Sequence, residues 1–298
     1  MVHYNSCPLC SSDKIAFYLE CTDYLVTHEV FSLFRCQSCG FVFTQDHPDE
    51  EEIGKYYESQ EYASHDDKAG GLLNRVYFFV RGFMLGRKRH TVEKATGLRR
   101  GKLLDIGCGT GYFAGAMKKA GWDVEGIEPN RKARDFAASH FKINIYEPDA
   151  TGSLAAASFD CITLWHVLEH FQDPFRYIGE IERLLKPGGI CLAALPNKSS
   201  SDARYYGRFW AAWDVPRHLW HFDPETMELF RRKSGFKIIT TKRLLPDGFY
   251  ISMLSEKNKC PSLPLITGLL LGIRFTFASA FRRSRSSSLV YILRKPAD

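Results

Sequence analysis

The 298-residue chain reads as an α/β protein built on a mostly parallel, doubly wound sheet, with a small cysteine-rich unit ahead of it. Three observations carry this. From Leu103 onward, short apolar runs alternate with helical stretches of ten or more residues, the pattern of strands joined by crossover helices. The first run ends in a glycine-rich turn and acidic residues close the next strands, at the end of the sheet where such folds bind ligands. Two Cys-x2-Cys pairs, Cys7/Cys10 and Cys36/Cys39, stand before the sheet with 25 residues between them.

The cysteine pairs bring four thiolates into a tetrahedral set that zinc prefers and that leaves no open position. Ile15–Cys21 and Val30–Arg35 read as strands between them. The resulting zinc ribbon, residues 1–45, is too small to fold on its own core, so structural zinc supplies the missing stability. Cys21 reads as a strand residue rather than a ligand. Residues 46–95 follow as a linker and a helical cap. The linker is polar and acidic, with Tyr56, Tyr57 and Tyr62. In the cap, Leu72, Val76, Phe79, Val80 and Phe83 repeat at helical spacing among Arg75, Arg81, Arg87, Lys88 and Arg89. That stripe packs on the sheet or covers a pocket; an interfacial helix on anionic lipid is the alternative.

The sheet domain takes residues 96–298. Its first strand runs through Asp105 into Gly107-Cys108-Gly109-Thr110-Gly111 and a helix from Tyr112. Alternate glycines let backbone amides approach a ligand. A dinucleotide fingerprint needs glycine where Tyr112 stands, and Asp105 would confront a pyrophosphate with a second anion. A cation bearing an amine and a sulfonium suits the turn, which points to S-adenosylmethionine. Trp122–Glu128 is the second strand, where Glu128 can accept from both ribose hydroxyls and Pro129-Asn130 open a helix over Arg131–His140. Ile143–Tyr146 leads to Asp149 and Ala150, placed for the adenine amine. Phe159–Trp165 leads to His166-Val167-Leu168-Glu169-His170, with Asp160 structural. The helix Pro174–Leu185 stops at Lys186-Pro187-Gly188-Gly189, and Ile190–Leu195 is the fifth strand. Phe236–Leu244 and Ser288–Lys295 form a closing hairpin, split by an insertion over 246–287.

Asp105-x-Gly107-x-Gly109-x-Gly111, Glu128, Asp149-Ala150, Val167–His170 and Leu184–Gly189, in that order, resemble the class I S-adenosylmethionine-dependent methyltransferase family over about residues 90–245 and the last strand. The resemblance implies a Rossmann-like, seven-stranded sheet with helices on both faces. It implies that Asp105, Gly107, Cys108, Gly109 and Gly111 hold the methionine end, Glu128 and Pro129 the ribose, and Asp149 and Ala150 the adenine. His166 would lie against the donor near its methyl group.

Methyl transfer needs alignment, exclusion of water and often removal of a proton, for which histidine is suited. One candidate group is His166, Glu169 and His170. The other is the aromatic loop Tyr205–Phe222, where His218 reads as a base or acceptor ligand and Arg217 as the partner of an anionic acceptor group. Its aromatics form an acceptor slot or a core of the loop's own. The expected reaction is methylation of an O or C atom of a small-molecule, glycan-pathway or lipid-linked acceptor; the core is similar to the quinone O-methyltransferases, which lack the ribbon. An RNA base methyltransferase and a non-catalytic donor-binding scaffold are the alternatives. Against RNA, Leu164-Trp165-His166-Val167 stands where such enzymes carry an Asn/Asp-Pro-Pro-aromatic motif, and the net charge of +6 is mild.

The insertion couples the apolar run Leu263–Ile273 to Arg274, Arg282, Arg283 and Arg285, with no acid from Lys257 to Ala297. The run is short of the roughly 20 residues a membrane span needs. Peripheral membrane contact through 257–287, a lid over a lipidic substrate, or a buried helical hairpin are the readings left open. Nine cysteines, several in core strands, and a start without a signal sequence suit the cytoplasm, with or without membrane association.

Overall fold

The computed structural model describes residues 1–57, 72–245, 247–259 and 264–297, with the backbone alone over 72–80. Tyr62 and the side chains of Leu72, Arg75, Val76, Phe79 and Val80 therefore lie outside the described residues. In chain order the first strands are β1 (Ile15–Thr22), β2 (Val30–Cys36) and β3 (Val42–Thr44), followed by helix α1 (Leu72–Thr96). The main sheet then begins: β4 (Lys102–Ile106), α2 (Tyr112–Lys119), β5 (Asp123–Ile127), α3 (Arg131–Phe141), β6 (Asn144–Tyr146), β7 (Phe159–Trp165), α4 (Pro174–Leu184) and β8 (Leu185–Pro196). A long loop holds α5 (Ser201–Tyr206) and β9 (Trp220–His221), and α6 (Pro224–Lys233) leads to β10 (Lys237–Arg243). The hairpin α7 (Asp247–Lys259) and α8 (Pro264–Phe281) precedes β11 (Ser288–Arg294).

Seven strands form the main sheet in the order β10-β11-β8-β7-β4-β5-β6. The four central pairings from β8 to β6 are parallel, and β11 runs antiparallel to both its neighbours. This is the expected Rossmann-like sheet. Side-chain caps start the helices as the sequence suggests: Asn130 accepts from the Ala133 amide, and Asp223 forms a capping box with Thr226 ahead of Pro224. One boundary differs. Lys186–Gly189 belongs to β8 rather than to a loop, because the Gly189 carbonyl and Gly188 amide pair with Lys295 and Pro296 beyond β11.

The cysteine-rich unit is continuous with the sheet domain. β1, β2, β3 and β9 make an antiparallel second sheet, and β9 comes from the loop after β8. Leu9, Phe41 and Phe43 share one core with Trp220, Phe222 and the face of the main sheet carrying Leu104 and Ile162. The C-terminal part of α1 packs Val92 and Leu85 with Phe113 and Met117 on the opposite face, while Phe83 is exposed. A third core joins Leu33 and Tyr56 to Tyr206, Trp210 and Trp213 of the loop and to Ile251 and Phe275 of the hairpin. The loop's tryptophans are thus a mini-core and not an acceptor slot; burial of large rings anchors a loop that has little regular structure of its own.

Candidate active site

The turn after β4 adopts left-handed backbone at Gly107, Gly109 and Gly111, with φ of 67°, 54° and 78°. Space beside Gly109 is open: a Cβ there would meet nothing within 4 Å. At Gly111 the requirement is packing, since a Cβ would stand 2.7 Å from Ala137 Cβ on α3. Glu128 Oε2 accepts from the Gly109 amide at 2.8 Å and Oε1 from the Asn130 amide at 2.9 Å. The carboxylate thereby fixes the turn, and each oxygen keeps lone-pair capacity for a ribose hydroxyl. Burial raises its pKa. Cys108 is half-buried in this turn, Pro129 and Asp149 are exposed at the ends of β5 and β6, and Ala150 is half-buried next to Asp149.

Asp105 is fully enclosed at the end of β4 and accepts from the Thr163 hydroxyl at 2.6 Å. Burial pushes its pKa up to about 7, against the pull of Thr163 and Lys88. Lys88, from α1, reaches over the Trp165 ring at 4.4 Å and faces both Asp105 and Asp247. A buried carboxylate with so little compensation is a ready site for a cationic ligand.

His166, at a left-handed φ of 60°, turns the chain out of β7. Its Nε2 meets Asp247 Oδ2 at 2.7 Å and its Nδ1 lies 3.4 Å from Glu169 Oε1. Burial lowers its pKa, but the Asp247 and Glu169 carboxylates outweigh this and hold the imidazolium to about pH 10. His170 and His218 stand edge to face, 4.6 Å between ring centres. His218 Nδ1 donates to the Ala212 carbonyl at 2.9 Å and His170 Nδ1 to the Arg217 carbonyl at 3.0 Å. Tyr57 places its hydroxyl 3.0 Å from His170 Nδ1. Burial and the neighbouring His218 push the His170 pKa down to about 4.

Arg217 corrects the expectation placed on it. It is 1% exposed. Its guanidinium donates to Asp214 at 2.6 Å, to Asp23 at 2.8 Å and to the Tyr56 carbonyl at 2.9 Å. It is a strut between the β1–β2 turn, the segment before α1 and the loop, with no face left for an acceptor.

Cys7, Cys10, Cys36 and Cys39 converge with all four sulfurs within 4.8 Å of one another. The Cys7–Cys39 and Cys10–Cys36 separations are both 3.6 Å, far beyond the roughly 2.05 Å of a disulfide. A tetrahedron with zinc–sulfur bonds of about 2.3 Å has edges of about 3.8 Å, so the donor set fits that ion. Cys21 is buried in β1, outside the cluster.

Several participants escaped the sequence reading. Lys88 shows only as one of a run of basic residues, and Asp247 as an ordinary acid at an insertion boundary. Asp23 and Asp214 become partners of Arg217 across 194 and 3 residues. Arg134 links the carbonyls of Glu128 and Pro129 to Glu147, bracing the turns after β5 and β6. Its spacing from Glu128, one turn into α3, was the available signal.

Comparison with known proteins bears on the family and the fold. A family model described as a methyltransferase domain matches residues 80–241. A ubiquinone biosynthesis O-methyltransferase of Actinobacillus pleuropneumoniae is 35% identical over 118 residues, covering 36% of this chain and 50% of the relative. The protein of the same description from Paraburkholderia phymatum is 40% identical over 106 residues, covering 33% of this chain and 45% of its own length. The chain thus spans about half the length of these relatives. Among solved structures, the [4+2]-cyclase SpnF aligns with a TM-score of 0.52 at 21% identity, over 71% of this chain and 81% of that one, a likeness of fold alone. With the family model covering more than half its length, this chain belongs to the methyltransferase-domain family, among the class I S-adenosylmethionine-dependent enzymes.

Proposed function

We propose that the protein transfers the methyl group of S-adenosylmethionine to a hydroxyl oxygen of a lipid-linked acceptor, working at an anionic membrane surface. The observation that carries the reading is the exposed apolar face of α8. Leu265, Ile266, Leu269, Leu270, Ile273, Phe277 and Phe281 are 48 to 77% exposed along one side of this helix. Its other side is committed to α7, where Gly268 and Gly272 bring the two backbones together. An 18-residue helix is about 27 Å long, and with one face occupied by protein it suits an in-plane position better than a crossing. Arg274, Arg282, Arg283 and Arg285 are exposed around the apolar strip, the complement of anionic headgroups. The hairpin is also tied to the chemistry, because Asp247 at the start of α7 grips His166. The O-methyltransferase relatives of quinone biosynthesis support an oxygen acceptor on a lipid.

Asp105, the glycine turn, Glu128 and the Asp149–Ala150 turn bind the donor in this reading. Glu169, His170 and His218 manage the acceptor proton, and His166 orients Glu169. The acceptor oxygen bonds to the methyl carbon as the carbon–sulfur bond breaks, and sulfur keeps the electron pair. Zinc in the four-cysteine cluster is structural, since its donors leave no open position. The test is incubation with methyl-labelled S-adenosylmethionine and anionic vesicles carrying polyprenyl phenols. Label in the lipid phase is expected. Tight donor binding with no transfer to lipid, glycan or RNA extracts would favour a donor-binding scaffold instead.

A further inference from the structure

The side chains of Glu169, His170 and His218 each offer one ligand atom, and the three atoms lie within 4.8 Å of one another. Glu169 is 1% exposed, and among the described residues neither of its carboxylate oxygens receives a well-formed hydrogen bond. A buried carboxylate is costly unless charge and hydrogen bonds complete it, and here the His166 imidazolium, shared with Asp247, is the one cation against it. Its nearest polar neighbours are His166 Nδ1 at 3.4 Å and His218 Nε2 at 4.0 Å. His170 and His218 each turn Nδ1 to a backbone carbonyl, and His218 Nε2 points at Glu169. Metal-binding histidines are held in that way, one nitrogen on the ion and the other donating to a backbone oxygen.

Charge points in the same direction. Four carboxylates (Asp23, Asp214, Glu169 and Asp247) face three cations in this region, Arg217, His166 and Lys88, an excess of one negative charge. Asp214 Oδ2 lies 3.7 Å from His218 Nε2, within reach of the same centre. An ion central to a triangle of 4.8 Å sides sits about 2.8 Å from each corner. Side-chain shifts of about 0.7 Å bring those contacts to the roughly 2.1 Å of nitrogen and oxygen ligands to zinc.

We propose that Glu169, His170 and His218 form a divalent-cation site, separate from the four-cysteine cluster, that takes an ion of the zinc, iron(II) or manganese class. Two histidines and one carboxylate occupy three positions and leave others open. The role of those positions rests on the methyl-transfer reading: they accept the acceptor's hydroxyl oxygen, and coordination lowers its pKa so that its proton leaves before attack. His218 is then a ligand, and the ion does the work assigned to a base.

The experiment is a titration with Mn²⁺ alone of the full chain with zinc in its ribbon, followed by electron paramagnetic resonance. One saturable Mn²⁺ per chain is expected, weakened at least tenfold in Glu169→Gln and in His170→Gln. A matching Zn²⁺ titration should give one equivalent beyond the ribbon's. S-Adenosylmethionine binding, measured on the same samples, reports folding of each variant and separates the two readings. Donor binding with no saturable Mn²⁺ or second Zn²⁺, or with ion affinity unmoved in both variants, overturns the site and leaves the methyl-transfer reading standing. Ion binding without donor binding does the reverse.

Discussion

Asp105, which the proposed donor site uses, carries an electrostatic cost of its own. In the empty protein it titrates near 7, against about 3.9 in an unfolded chain, because burial disfavours its charge. The folded state keeps the proton longer, so this group costs stability progressively as pH rises from about 4 to 7. Asp105→Asn should therefore stabilise the empty protein at neutral pH by about 1–3 kcal/mol in urea denaturation while abolishing donor binding. A cationic donor favours the carboxylate. Below pH 7 its binding must expel a proton, and calorimetry should show affinity falling up to tenfold per pH unit, then levelling above pH 7. Lys88 and Glu128 are the charged groups that face Asp105 and bound this effect from either side. An affinity flat from about pH 5.5 to 8 would contradict the assignment. Arg217 makes the opposite case. Truncation to alanine leaves Asp23 and Asp214 without their buried partner, for an expected loss of about 3–5 kcal/mol, whereas an acceptor-binding arginine would mainly raise KM.

At the level of elements, the α7–α8 hairpin separates two kinds of residue that look alike in the sequence. Leu269 and Ile273 alternate with Gly268 and Gly272, yet the former point outward and the latter are pressed onto α7. A Cβ at position 268 would stand 2.5 Å from the Met253 Cα, which backbone cannot yield. Gly268→Leu should therefore destabilise the protein by about 1–3 kcal/mol through forced separation of the helices. Leu269→Gln with Ile273→Gln should leave the melting temperature within about 2 °C and abolish flotation with anionic vesicles. Retained flotation would remove the α8 strip as the membrane contact, and no flotation of the unaltered protein would remove the membrane from the proposed function. The composition of this stretch made the choice between lid, buried hairpin and membrane contact undecidable, because apolar content says nothing of which face finds a partner.

For the molecule as a whole, the strands, the crossover helices and the donor motifs were legible because each is written in a local pattern of alternation, capping and glycine placement. The joins were not. β9 pairs with β3 across about 180 residues, and Arg217 reaches Asp23 across 194; no local period announces such a partner. Those joins make the ribbon part of the site, since Thr44 on β3 donates to the His218 carbonyl at 2.7 Å. Stripping zinc with a chelator should accelerate hydrogen exchange through β1–β3 and through the loop bearing Arg217 and His218, leaving β4–β8 protected. Uniform protection afterwards would mean that the cysteines carry no structural load. The outward strip on α8 has a kinetic corollary. If the protein works on a bilayer through this strip, as proposed, turnover depends on acceptors per unit of lipid area. Blending inert lipid into the vesicles should slow it, while diluting the same suspension with buffer should not, until the protein itself begins to leave the surface.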